Sequence, residues 1–126
     1  SLPAEEMRLA PVEERRVLAD GSIIDLAAGT QIEVTYAVDK RTVRLLQGSA
    51  HFAVAHDPRR PFVVAVADTF AIRAIGTAFD VHLSATGIQV DVTEGRVRVE
   101  ATAVRDVSPV LPDLLVGQRL WAPLSN

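Results

Sequence analysis

At 126 residues, with 48% hydrophobic and 23% charged residues, the chain has the make-up of one globular domain and not of a disordered segment. It has no cysteine, which removes disulfides, thiolate metal sites and cysteine nucleophiles. The net charge of −3, with acids and bases interspersed, leaves no basic stripe for nucleic acid and no polybasic cluster for a membrane surface.

Pro3 to Leu9 offers at most a turn and a half of helix, and Glu5-Glu6 and Glu13-Glu14 read as solvated charges. From there on, valine, isoleucine and threonine dominate, glycines recur between short runs, and no 3.6-residue apolar period is sustained. The pattern is all-β: stacked antiparallel hairpins in a twisted solenoid-like or sandwich-like domain. We divide the chain into an N-terminal linker or edge segment over 1–14, a β domain over 15–122 and a tail over 123–126.

Two segments share one phrase, VRLLQGSAHFAV from Val43 and VDVTEGRVRVE from Val90. With Gln47-Gly48 and Glu94-Gly95 as tight turns, Val43 and Leu45 oppose Phe52 and Ala50, and Val90 and Val92 oppose Val99 and Val97. All eight then share an apolar face, which a slip of register would break. Asp20-Gly21 and Val116-Gly117 are two further candidate hairpin turns. Pro58 and Pro61 make HDPRRP a rigid connector into the apolar run Phe62–Ala67, which is too short to span a bilayer. Pro109 and Pro112 mark another loop. Around Gly76 the apolar phase changes parity, from Phe70, Ile72 and Ala74 to Phe79, Val81 and Leu83, so a glycine bulge is expected there, with Thr77 hydrogen-bonded locally.

The search for reaction chemistry yields no catalytic, cofactor-binding or metal-ligating residue. A cupin-like metal enzyme needs converging histidines. Here His51 and His82 alternate with apolar neighbours and point outward, and His56 sits in the loop beside Asp57. Ser22, Ser49, Ser84, Ser108 and Ser125 lack an elbow motif. Asp80 and Asp91 are expected to face water. Arg59 and Arg60 either pair with Asp57, stay exposed, or meet an acidic partner; Trp121 either caps the core or contacts a following domain.

The phrases RRVLADGSIIDLAAGT, VRLLQGSAHFAVAHDPRRPFVV, IRAIGTAFDV, VDVTEGRVRV and LLVGQRL occur together in one order. In this the chain resembles the periplasmic domain of the FecR family of transmembrane sensors and anti-sigma regulators. Ala27-Ala28-Gly29 and Asp80 depart from asparagines common in that family. The resemblance implies a non-enzymatic module without cofactor, held in the periplasm by a transmembrane helix outside this chain. It implies two protein partners: the signalling domain of a TonB-dependent outer-membrane transporter, and, for the longer protein, an extracytoplasmic-function sigma factor. The opening at Ser1 suits a piece of a longer protein with sigma-binding and transmembrane parts before it and a small α/β module after it. A carbohydrate- or envelope-binding β domain is the alternative, although one Trp, one Tyr and four Phe make a poor aromatic platform.

Overall fold

The structure is a computed structural model that describes residues 11–101 and 113–124. Eleven strands account for its regular structure: β1 (Val12–Val17), β2 (Ile23–Ala27), β3 (Gln31–Tyr36), β4 (Arg41–Ala53), β5 (Phe62–Val66), β6 (Phe70–Ala74), β7 (Ala78–Leu83), β8 (Gly87–Glu94), β9 (Arg96–Ala101), β10 (Leu114–Leu115) and β11 (Arg119–Pro123). The expected all-β class is what forms. The helical turn expected over Pro3–Leu9, Glu5-Glu6, Ser108, Pro109, Pro112 and Ser125 lie outside the described residues.

The strands build a two-layer sandwich whose layers share β4. The front sheet runs β1-β2-β4-β7-β8-β11 through the C-terminal half of β4, and the back sheet runs β3-β4-β5-β6-β9-β10 through its N-terminal half. Pairing is antiparallel except between β4 and β5. That exception has a simple cause. β4 ends in the front sheet, the loop over 54–61 crosses to the back sheet, and β5 enters beside the start of β4, with Arg41 opposite Phe62.

Glycine makes this layout possible. β4 passes from one sheet to the other at Gly48; β2 and β3 are joined across the sandwich at Gly29, β6 and β7 at Gly76, β8 and β9 at Gly95, and β10 and β11 at Gly117. All five have φ between +63° and +95°, a region L-residues avoid. The registers place Gly29 and Gly48 at one end of the sandwich. Gly76, Gly95 and Gly117 sit at the other, beside the β1–β2 turn and the 54–61 loop.

Two of the expected hairpins are therefore corners. Gly48 lies inside one continuous strand, and β8 and β9 do not pair with each other but with β7 and β11, and with β6 and β10. Val116-Gly117 is also a corner, and of the four suspected turns only Asp20-Gly21 closes a hairpin, with Leu18 N–H bonded to Ser22 C=O at 2.8 Å. The misreading has a physical reason: a tight turn and a sheet-crossing corner both flip the parity of the buried residues about one glycine. The shared apolar face is real, since Val43, Leu45, Ala50, Phe52, Val90, Val92, Val97 and Val99 are all buried. The parity change at Gly76 is of the same kind.

The core lies between the layers. Phe79 is fully buried and stacked on Phe52 (5.2 Å), and Phe52 meets Phe62 of the back sheet edge-on (6.2 Å). Thr77 does not bond locally through its side chain: its hydroxyl is buried without a partner, while its carbonyl accepts from Val54 N–H at 2.8 Å.

Candidate interaction surfaces

A buried arginine closes the sandwich on the β1–β4 side of the end that carries Gly76. Arg41 opens β4 in the same strand phase as Val43 and Leu45, so its side chain enters the interior and is fully buried. Its Nη1 donates to Asp20 Oδ2 (2.6 Å) and Ala55 C=O (2.9 Å), its Nε to Arg60 C=O (2.8 Å), and its guanidinium lies 5.4 Å from the Phe62 ring. Asp20 also accepts from the Ser22 amide and hydroxyl and from the Tyr36 hydroxyl. Burial would raise the Asp20 carboxyl. The Arg41 guanidinium and the Ser22 and Tyr36 donors outweigh it and hold the carboxyl at about 2. Burial, then the bond to that carboxylate, pushes Tyr36 up to about 12. Every member is satisfied within the protein, so the cluster ties the β1–β2 turn to the HDPRRP loop and offers nothing to a ligand.

The outer face of the front sheet carries one transverse row of charge. Arg15, Asp25, His51, Asp80, Asp91 and Arg119 are successive cross-strand partners through β1, β2, β4, β7, β8 and β11. Arg15 donates to Asp25 (2.7 Å), His51 Nδ1 lies 2.5 Å from Asp80, and Arg119 donates to Asp91 (2.5 Å). The bond to the Asp80 carboxylate outweighs burial and raises His51, so the imidazole favours its charged form. Arg15 lowers Asp25. Beside this row lie Ser49, His82, Gln89 and Trp121, again in register, with the Ser49 hydroxyl bonded to His82 Nδ1.

The outer face of the back sheet is different. Near the Gly76 corner a cavity of about 480 Å³ is lined by Pro61, Ala74, Ile75 and Val97 and by three arginines, Arg73, Arg96 and Arg98, with Asp113. Arg73 and Arg98 are direct cross-strand partners. Arg73 donates to Glu100 (3.0 Å), while Arg98 (3.2 Å) and Arg96 (3.9 Å) share Asp113.

His51 and His82 point outward and His56 is exposed in its loop, as the alternation implied. Asp80 departs from expectation: it is buried, because His51 and the flanking strands of a six-stranded sheet cover it. Arg60 follows the structural reading, bonding Asp57 (3.2 Å) and lying over Tyr36 (5.7 Å), and Arg60 lowers the Asp57 carboxyl. Trp121 does not cap the core. It is 54% exposed, on the outer face of the edge strand, with its ring against the Gly87 backbone. Sequence reasoning passed over Arg41, although its i, i+2, i+4 phase with Val43 and Leu45 was the signal. It also passed over Arg96 and Arg98, which share one face of β9, and Arg73, which strand pairing brings beside them. Among the described residues no group of three or more His, Cys, Asp or Glu is placed to hold a metal ion, and no helix is long and apolar enough to cross a membrane.

Residues 10–98 match the family model described as FecR protein. Two crystal structures of a candidate anti-sigma factor from Parabacteroides distasonis, at 1.65 and 2.50 Å resolution, share the fold, with TM-scores of 0.70 and 0.66 at 24% and 23% identity. The alignments cover 91% and 92% of this chain but 57% and 58% of those chains, so it spans less than two thirds of their length. No curated protein sequence matches it. A family match that takes in both halves of β4, the HDPRRP loop, the Gly76 corner and the first half of β9, on a fold shared with these structures, leads to one conclusion: the chain belongs to the FecR family.

Proposed function

We propose that this domain is a non-enzymatic periplasmic signalling module of an anti-sigma regulator. In this reading it relays the state of a TonB-dependent outer-membrane transporter to an extracytoplasmic-function sigma factor, through a transmembrane helix outside this chain. The observation that carries the proposal is the FecR match over residues 10–98. The surface chemistry supports it. The charged row on the front face is spent in three cross-strand pairs, Arg15–Asp25, His51–Asp80 and Arg119–Asp91, and the Ser49–His82 contact sits on an open sheet face, where among the described residues no carboxylate orients His82. Arginines beside exposed aliphatic residues on the back face suit a protein partner.

The test is retention of the domain, with its native C-terminal continuation, by the immobilised signalling domain of its cognate transporter. Deleting the domain from the full-length protein should also change transcription from the sigma factor's promoter. Absence of a transmembrane segment ahead of Ser1 in the full-length gene product would overturn the sensor reading. Failure of retention would remove the transporter as partner.

A further inference from the structure

The chain is acidic overall, at −3, yet three of its arginines converge on one cavity. The convergence goes against sheet pairing, because like charges directly opposite each other on adjacent strands are destabilising, and Arg73 and Arg98 are such a pair. Among the described residues two carboxylates face three cations: Glu100 holds Arg73, and one carboxylate, Asp113, is divided between Arg96 and Arg98. A guanidinium has five N–H donors in a planar fork, so a single shared carboxylate does not saturate two of them. The side chains of Arg96, Arg98 and Arg73 are 71%, 60% and 49% exposed.

The setting is apolar as well as cationic. Ile75, at the corner between β6 and β7, is 46% exposed, and Leu115, the cross-strand partner of Arg96, is 50% exposed. Pro61, Ala74 and Val97 complete the lining. Arginine forks around exposed aliphatic surface, beside a cavity of about 480 Å³, are the complement of an extended segment carrying carboxylates and small apolar side chains in alternation. A bare phosphate would leave Ile75 and Leu115 without a partner.

We infer that the Arg73–Arg96–Arg98 cradle is the partner-binding site of this domain and takes an acidic, aliphatic peptide segment of another protein. The inference rests on the reading of the domain as a protein-binding module and names the surface and the chemistry of what it binds. The front face, where each arginine has its own carboxylate, supplies the control.

The experiment measures fluorescence anisotropy of a fluorescein-labelled octapeptide of alternating Asp and Leu against the purified chain. Saturable binding is expected at about 0.01 M salt, weakening at about 0.15 M as screening shortens from ~30 to ~8 Å. The Arg73→Gln/Arg98→Gln double variant should bind about tenfold more weakly with its melting temperature retained, and Arg15→Gln/Arg119→Gln should bind as the parent does. Where the double variant fails to fold, Arg96→Glu at the exposed rim should give the same weakening. A Lys-Leu peptide should not bind, and neither inorganic phosphate nor phosphatidylglycerol vesicles should displace the acidic peptide. Absence of saturable binding, equal loss in the front-face variant, or displacement by phosphate or by vesicles would each overturn the inference. Retention of the Arg73→Gln/Arg98→Gln domain by the transporter's signalling domain would sink the cradle alone and leave the signalling reading standing.

Discussion

One end of the sandwich is closed in two different ways, side by side. Across β6–β7, β8–β9 and β10–β11 the chain itself turns the corner, and glycines at positive φ carry it from sheet to sheet. Across β1, β2 and β4 the sheets are joined, among the described residues, by the 54–61 loop, and a buried side-chain cluster holds that loop and the β1–β2 turn together through Arg41 and Asp20. A backbone corner needs permissive residues and space. A side-chain closure needs complete satisfaction of buried charge. The same architecture therefore fails by different routes on its two sides.

The largest effects fall on the side-chain closure and on the core beneath it. Arg41→Met should cost about 3–5 kcal/mol in urea unfolding, because it leaves the Asp20 carboxylate buried and short of its cation. The double change Arg41→Met/Asp20→Leu should recover part of that loss. A cost below about 1 kcal/mol for the single change would mean that Ser22 and Tyr36 hold Asp20 without help. Acid gives a second view. With the carboxyl at about 2 against an ordinary 3.8, its contribution of about 2 kcal/mol is present above pH ~4 and is lost as pH falls toward the folded value. For scale, Phe79→Ala, which empties a fully buried ring site, should also cost about 3–5 kcal/mol.

How much of this was legible follows the same division. The inward phases at Val43, Leu45, Ala50, Phe52, Phe79 and Val81 were readable from alternation, because alternation reports which face a residue occupies. The pairing was not, because a parity flip about glycine is common to hairpin and corner. Only contacts distant in sequence decide between them, such as Arg41 opposite Phe62 or Ala74 opposite Val97. The buried charges were missed for a related reason. Asp80 alternates as a surface residue should, and its burial comes from His51 on one neighbouring strand and from β8 on the other. The arginine cradle combines residues from β6 and β9 with Asp113 beside β10, and no local window contains them together.

The backbone corners are tested by adding a single methyl group. Gly48→Ala should cost about 2–4 kcal/mol, combining a left-handed backbone with a Cβ that would stand 2.7 Å from Thr30 Cα. Gly21→Ala, in the hairpin turn, meets open space and should cost only about 1 kcal/mol for its φ of +91°. Equal costs at the two sites would show that φ strain alone sets the penalty and that close approach at the corner does not contribute.

The smallest effect is expected on the front face, away from both closures, and it sharpens the contrast by acting through pH. His51 sits between Asp25 and Asp80 in the charged row, with Glu94 adding to the field and Arg15 and Arg119 at the row's ends. Its folded pKa is raised, so the stability it contributes is fully present below the unfolded value of about 6.5 and is lost as pH rises through the folded value. The melting temperature should therefore fall slightly between about pH 6 and pH 8, by the equivalent of at most about 1 kcal/mol, because the His51 imidazole stays part-exposed over the buried Asp80. His51→Gln should flatten that slope, and Asp80→Asn should flatten it too by removing the charge that holds the proton. A wild-type slope unchanged by either substitution would place the titrating group outside this row. An upward slope would show that burial outweighs the Asp80 contact at His51.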